Sequence, residues 1–128
     1  MFDRVGVIGA GLMGSEIALV AALAGKQVLL TDTSEEALAR ALGNLDAVLD
    51  KGIRRGFYQE ADKAAALGRI TTSTTLDHHT DRDLVIEAVF ESETVKAEVF
   101  RTLDRVCRPD VCIASNTSTI SITTLASY

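Results

Sequence analysis

The sequence predicts an α/β fold: a doubly wound parallel sheet with an extra helical pair after the second strand. Three observations point there. Short apolar runs alternate with helical patterns along the chain, and a glycine-rich turn joins the first run to the first helix. The apolar content is aliphatic, with no tryptophan and only 5% aromatic residues. Parallel sheets are covered by helices on both faces, so their strands read as near-continuous Val, Ile and Leu.

Each element follows from its residues. Arg4 to Gly9, with Val5, Val7 and Ile8, is the first buried strand. Leu12 to Ala24 is rich in Ala, Leu, Met and Ile and stops at Gly25, so it is a helix. Gln27 to Asp32, with Val28, Leu29 and Leu30, is the second strand. Thr33 and Glu36 form a T-x-x-E capping box that opens a helix running to about Lys51. Gly52 and Gly56 interrupt the pattern, and Tyr58 to Leu67 is a second helix that stops at Gly68. Residues 33 to 69 are too many for a single crossover helix, so two helices project there. Arg69 to Ser73 and Leu84 to Ala88 are the third and fourth strands. Thr94 to Val106 is a charged amphipathic helix ended by Pro109, Val111 to Ser115 is the fifth strand, and a further helix begins near Ser121. The expected strand order is 3-2-1-4-5. Residues 1–128 read as one domain, truncated before a sixth strand.

Composition narrows the function classes. The chain has 47% hydrophobic and 24% charged residues and a formal charge of -5, without a dense basic run. Nucleic acid and anionic membranes are therefore not expected partners. Cys107 and Cys112 are the only cysteines and have no Cys or His cluster near them, so neither a zinc site nor a disulfide framework is expected. His78 and His79 lie in a polar run, Leu76 to Asp83, and read as surface loop residues with no metal role. No signal peptide fits ahead of the first strand and no apolar run reaches membrane-spanning length, so the expected location is cytoplasmic.

The chemistry begins at Gly9-Ala10-Gly11-Leu12-Met13-Gly14. G-x-G-x-x-G alone is weak, but here it follows a strand and opens a helix, as a Rossmann-type dinucleotide site requires. Gly9 permits a tight turn, Gly11 lets backbone approach a pyrophosphate, and Gly14 removes a side chain where helix meets strand. The N–H groups of this turn and of Leu12 and Met13 then face the phosphates at the positive end of the helix dipole. Asp32 ends the second strand, 18 residues after Gly14, where its carboxylate can accept from both ribose hydroxyls. The same carboxylate would repel a 2′-phosphate, with Glu35 and Glu36 behind it, so NAD is expected over NADP. No Lys-Ser or Lys-Thr follows the glycines, which excludes a P-loop.

Three stretches carry a family resemblance: Val7 to Gly14, Leu84-Val85-Ile86-Glu87-Ala88-Val89-Phe90-Glu91, and Ala114-Ser115-Asn116-Thr117-Ser118. In this order and spacing the chain resembles the NAD-binding domain of the L-3-hydroxyacyl-CoA dehydrogenases, over essentially its whole length. The resemblance implies that Glu91 contacts the nicotinamide half of NAD and that Lys96 lies on the cofactor side. For Lys96 the other reading is a solvated helix residue paired with a nearby acid. The resemblance also implies catalytic roles for Ser118 and Asn116, with the Ser118 hydroxyl near both the reacting oxygen and the nicotinamide; a hydroxyl both donates and accepts. A plain Asn-Thr-Ser turn is the alternative. The helical pair after Asp32 resembles the projection that helps bind coenzyme A, and Lys51, Arg54 and Arg55 form a small basic cluster suited to an anionic nucleotide, or else a solvated face.

The implied reaction is reversible oxidation of an L-3-hydroxyacyl-CoA to the 3-ketoacyl-CoA, with hydride passing to NAD. The acyl-CoA would be the substrate of a full-length enzyme, expected as a homodimer. In the family a histidine paired with a glutamate serves as the base, in an H-F-F-N-P motif that these 128 residues do not contain. The C-terminal helical domain of the family is absent as well. The expectation is an NAD-binding portion of such an enzyme, inactive by itself; the alternative is a stand-alone NAD-binding sensor or structural module without catalysis.

Overall fold

The computed structural model describes residues 3–88 and 93–115. Five parallel strands form one sheet, in the order β3-β2-β1-β4-β5: β1 (Arg4–Ile8), β2 (Gln27–Thr31), β3 (Ile70–Ser73), β4 (Leu84–Glu87) and β5 (Cys112–Ser115). The helices are α1 (Leu12–Leu23), α2 (Glu35–Arg54), α3 (Glu60–Gly68) and α4 (Glu93–Val106), with a short 3-10 helix at Leu76–Asp81. The predicted strand order and helical pair are both present. The helix expected near Ser121 lies outside the described residues.

Side chains alternate across the sheet, and the period of two sorts the strands' residues onto two cores. Val5, Val7, Val28 and Leu30 face α1, α2 and α3, joined by Ala18, Ala22, Leu38, Leu45 and Leu49. Ile8 and Val85 belong to the opposite face, where α4 brings Val99, Leu103 and Cys107. Helix α2 buries Leu38, Ala41, Leu45, Leu49 and Gly52, a spacing of three or four that keeps one face on the core. The ring of Tyr58 lies where a Cβ of Gly52 would stand, so that glycine closes the α2–α3 hairpin. Lys63 on α3 binds Asp46 at 2.9 Å and Asp50 at 2.7 Å on α2, and these carboxylates raise its pKa.

Two expectations are corrected. The cap of α2 is not the Thr33/Glu36 box: Ser34 is the N-cap, its Oγ accepting from Ala37 N at 3.1 Å. The helix starts one residue later because Asp32 Oδ1 accepts from Ser34 N at 2.9 Å and holds residues 32–34 in an Asx turn. The second correction is His79. His78 is exposed, as expected, but His79 is fully buried beneath the sheet on the 3-10 helix. Its imidazole occupies the space a Cβ of Gly6 would take, with Cε1 2.7 Å from that position. A polar run concealed a buried ring because the strand opposite it has a glycine there.

At the amino edge of the sheet, Asp83 ties three segments together. Its Oδ2 accepts from Asp3 N at 3.0 Å and Arg4 N at 2.9 Å, and Oδ1 accepts from Arg108 at 2.7 Å. These donors lower its pKa to about 2, the Arg4 amide most and the Arg108 guanidinium next.

Candidate functional site

The carboxyl edge of the sheet carries the site. β1 sits at its centre, between β2 and β4, and the chain crosses in opposite senses on the two sides. Ligands of open parallel sheets bind at such a switch point.

The glycine turn leaves β1 with Gly9 at φ 106°, a backbone conformation few L side chains adopt. Gly9 N donates to Thr31 O at 2.7 Å, which fastens the turn to the end of β2. A Cβ on Gly14 would overlap the Gly9 carbonyl oxygen and come within 2.9 Å of the Gly9 carbonyl carbon, so only glycine lets α1 begin this close to β1. A Cβ on Gly11 would meet nothing within 4 Å. The turn is thus closed on the protein side and open on the outer side. Leu12 and Met13 are 78% and 51% exposed there.

The start of α1 differs from those of α2 and α3. Its N-cap is Gly11, with no side-chain cap and no acid in the first turn. The first N–H groups of a helix have no intrahelical acceptor, so those of Leu12, Met13 and Gly14 remain for a ligand. By contrast, α2 has Ser34 as cap with Glu35 and Glu36 in its first turn, and at α3 Asp62 accepts from Gln59 N at 2.8 Å. Ser15, a residue the sequence reading passed over, is buried and donates from Oγ to Gly11 O at 2.7 Å, bracing the first turn from within.

Asp32 closes the other side of the turn. Its Oδ2 accepts from Ala10 N at 2.9 Å while Oδ1 accepts from Ser34 N. Each carboxylate oxygen keeps a further lone pair for ribose hydroxyls. Gly9, Gly11, Leu12, Met13, Gly14 and Asp32 are therefore brought together around one turn, with Gly9 and Gly14 buried inside it.

Lys96 is paired with an acid but is not solvated. It is completely buried, and its Nζ donates to both carboxylate oxygens of Glu87, at 2.7 and 2.6 Å. Glu87 is the last residue of β4, in register with Ile8 of β1, and is also completely buried. Pairing with an acid is what the second reading held; solvation is not. The sequence signal for Glu87 was its acid at the end of an apolar strand, Leu84 to Glu87, inside the run that carried the resemblance. Glu91, Asn116 and Ser118 lie outside the described residues.

Lys51, Arg54 and Arg55 are exposed at the carboxyl end of α2, with Lys51 and Arg54 in its last turn, where cations suit the helix dipole. They stand at the α2–α3 hairpin rather than at the glycine turn. Among the described residues no group of three or more metal-ligating side chains comes together. No helix among them is long and apolar enough to cross a membrane.

Sheet order, closed turn and uncapped helix define a dinucleotide-binding domain of the doubly wound type. Residues 4–128 match the family described as 3-hydroxyacyl-CoA dehydrogenase, NAD binding domain, and the chain belongs to it. It is 44% identical, over 98% of its length, to the 3-hydroxybutyryl-CoA dehydrogenase of Bradyrhizobium diazoefficiens, of which it covers 43%. The crystal structure of 3-hydroxybutyryl-CoA dehydrogenase from Escherichia coli K12 superposes with a TM-score of 0.96 at 42% identity, over 99% of this chain and 27% of that one. That of (S)-3-hydroxybutyryl-CoA dehydrogenase from Ralstonia eutropha gives 0.96 at 40% identity, over 99% and 45%. The chain spans less than half the length of these relatives. The cofactor of the family is NAD, and the cradle described above fits its pyrophosphate.

Proposed function

We propose that this chain is the cofactor-binding portion of an enzyme that interconverts an L-3-hydroxyacyl-CoA and the 3-ketoacyl-CoA by hydride transfer with NAD. The observation that carries the reading is the uncapped, acid-free start of α1 beneath a glycine turn that is open only outward. The N–H groups of Leu12, Met13 and Gly14 bind the pyrophosphate, Gly9 and Gly14 hold the turn, and Gly11 leaves room for the phosphates. Asp32 binds the adenosine ribose and excludes a 2′-phosphate. NAD, when bound, supplies the hydride acceptor.

Glu91 contacts the nicotinamide half, and Ser118 and Asn116 orient the reacting oxygen; these roles rest on the family resemblance of their motifs. Lys96 acts on the cofactor side in company with Glu87. Lys51, Arg54 and Arg55 attract the anionic end of an acyl-CoA from the hairpin. The only histidines of the chain are His78, exposed on the 3-10 helix, and His79, buried under the sheet. Neither is placed to take a substrate proton, so these 128 residues bind NAD without turning over substrate.

Calorimetric titration with NAD⁺ and NADP⁺ tests the cofactor site, and NADH consumption with acetoacetyl-CoA tests turnover. NAD⁺ binding at least tenfold tighter than NADP⁺, about 1.4 kcal/mol, with no consumption, is expected. Equal affinity for the two cofactors would refute the role of Asp32, and steady consumption would refute the absence of a base.

A further inference from the structure

We propose that His79 is a positioning residue for the dinucleotide site: through the Thr31 hydroxyl it holds the end of β2, and with it the glycine turn, in binding geometry. The inference rests on the reading that this turn holds NAD.

Thr31 is the hub. It is the last residue of β2, 3% exposed, and in register with Ile8, the last residue of β1. Its carbonyl accepts from Gly9 N at 2.7 Å, and its neighbour Asp32 accepts from Ala10 N at 2.9 Å. The two anchors of the glycine turn therefore hang from consecutive residues. The side chain of Thr31 points to the opposite side of the strand from Leu30, onto the face shared by α4 and the 3-10 helix, where Oγ1 lies 2.8 Å from His79 Nε2.

His79 is itself clamped. Its carbonyl accepts from Cys107 Sγ at 3.5 Å and from Arg82 N at 3.3 Å, and its ring is pressed against the backbone of Gly6. Gly6 is an interior residue of the central strand, where glycine is a poor choice for strand stability. Nδ1 is buried without a hydrogen-bond partner among the described residues. A side chain that served only to fill this space would be apolar, since an imidazole there leaves one ring nitrogen unmatched. The bond to Thr31 is what an apolar side chain could not make.

The charge state suits an anchor. Burial pushes the pKa of His79 down to about 4, and the Arg82 guanidinium acts in the same direction. His78 adds slightly to the lowering, Asp81 opposes it, and Cys107, just after α4, is a titratable group facing it, while Gly6 and Thr31 bring no charge. The imidazole is neutral at ordinary pH and its contact with Thr31 is constant.

The test uses His79→Leu, His79→Gln, Thr31→Val and the double variant Thr31→Val/His79→Leu in the 128-residue protein. NAD⁺ affinity is read by calorimetry and exchange of the Gly9 and Ala10 amides by NMR. His79→Leu and Thr31→Val should each weaken NAD⁺ binding about tenfold, as expected within one hydrogen-bond network. The double variant should be no worse than the weaker single one. His79→Gln, whose amide can reach Thr31, should recover most of the affinity, and Gly9 exchange should quicken only where binding falls. Unchanged affinity in Thr31→Val, or losses that multiply in the double variant, would overturn the proposal. Should His79→Leu not fold, Thr31→Val decides alone, because it only exchanges a hydroxyl for a methyl. If the unsubstituted protein binds no NAD⁺, the cofactor reading fails by itself. Amide exchange then judges the anchor separately, and equal Gly9 protection in Thr31→Val and the parent overturns it.

Discussion

Asp32 accepts the Ala10 backbone N–H on Oδ2 at 2.9 Å, so the acid that follows β2 is also a strut of the glycine turn. On the proposed reading, the ribose-binding acid and the phosphate-binding turn form one hydrogen-bonded unit before any ligand arrives. Substitution at Asp32 therefore acts on both ends of the adenosine diphosphate.

Asp32→Ala leaves Ala10 N and Ser34 N without their acceptor and would remove the proposed ribose contact. NAD⁺ affinity should fall more than tenfold, and NADP⁺ affinity should not rise to the original NAD⁺ level, because the turn itself is loosened. Parallel titrations with the two cofactors measure this. A clean exchange of preference, with NADP⁺ bound as tightly as NAD⁺ was, would show that Asp32 only discriminates.

Gly11 and Gly14 should respond differently to alanine. At Gly14 the new methyl collides with the Gly9 carbonyl, whose peptide unit is fixed by Ala10 N donating to Asp32 Oδ2, so the protein should lose about 1–3 kcal/mol. At Gly11 the methyl enters open space, so stability should change little while NAD⁺ binding weakens. Urea melts and calorimetric titrations separate the two effects.

Glu87 and Lys96 share a site with no exposed surface. Removing one partner takes a charge-assisted contact from a fully buried group, and breaking such pairs costs about 3–5 kcal/mol. Lys96→Met and Glu87→Gln should each destabilise by that order, and Glu87→Gln/Lys96→Met by less than the sum. Because the pair lies at the carboxyl end of β4, beside β1, its rupture should also weaken NAD⁺ binding in protein that remains folded.

Acid should lower the protein's stability over two pH ranges. His79 has a folded pKa of about 4, below its usual 6.5. Between those values the unfolded chain binds the proton and the folded one does not, so stability falls as pH drops from about 6.5 to 4, by roughly 3 kcal/mol. Asp83 is depressed to about 2 from 3.8, so its contribution is complete above about 4 and is lost as pH falls through 2. Urea melts from pH 7 to 3 should show the first loss, and His79→Gln should remove most of it. Asp83→Asn should flatten the second, read by thermal melts between pH 4 and 2.

Local features made much of the fold legible. Runs such as Val5 to Ile8 and Gln27 to Thr31, each followed by a helical pattern, imply parallel strands buried on both faces. The long interval after Asp32 required two helices. At the turn, the placement of Gly9, Gly11, Gly14 and Asp32 is legible because it depends on backbone conformation and spacing within one β-α-β unit. Thr33 misled because an Asx turn at Asp32 competes with the capping box and wins by one residue.

What the sequence determined alone was the sheet order and the dinucleotide turn, since both follow from periodicity and from residues whose conformations are local. Tertiary structure decided the rest. His79 lies in a polar run, and only the absence of a side chain on Gly6 lets its ring under the sheet and onto Thr31, 48 residues away in the chain. Lys96 has the look of a surface cation on a charged helix until α4 is laid on the sheet and Glu87 meets its ammonium. Burial and partnership of polar groups depend on what the opposite element presents, and no pattern along a single segment carries that information.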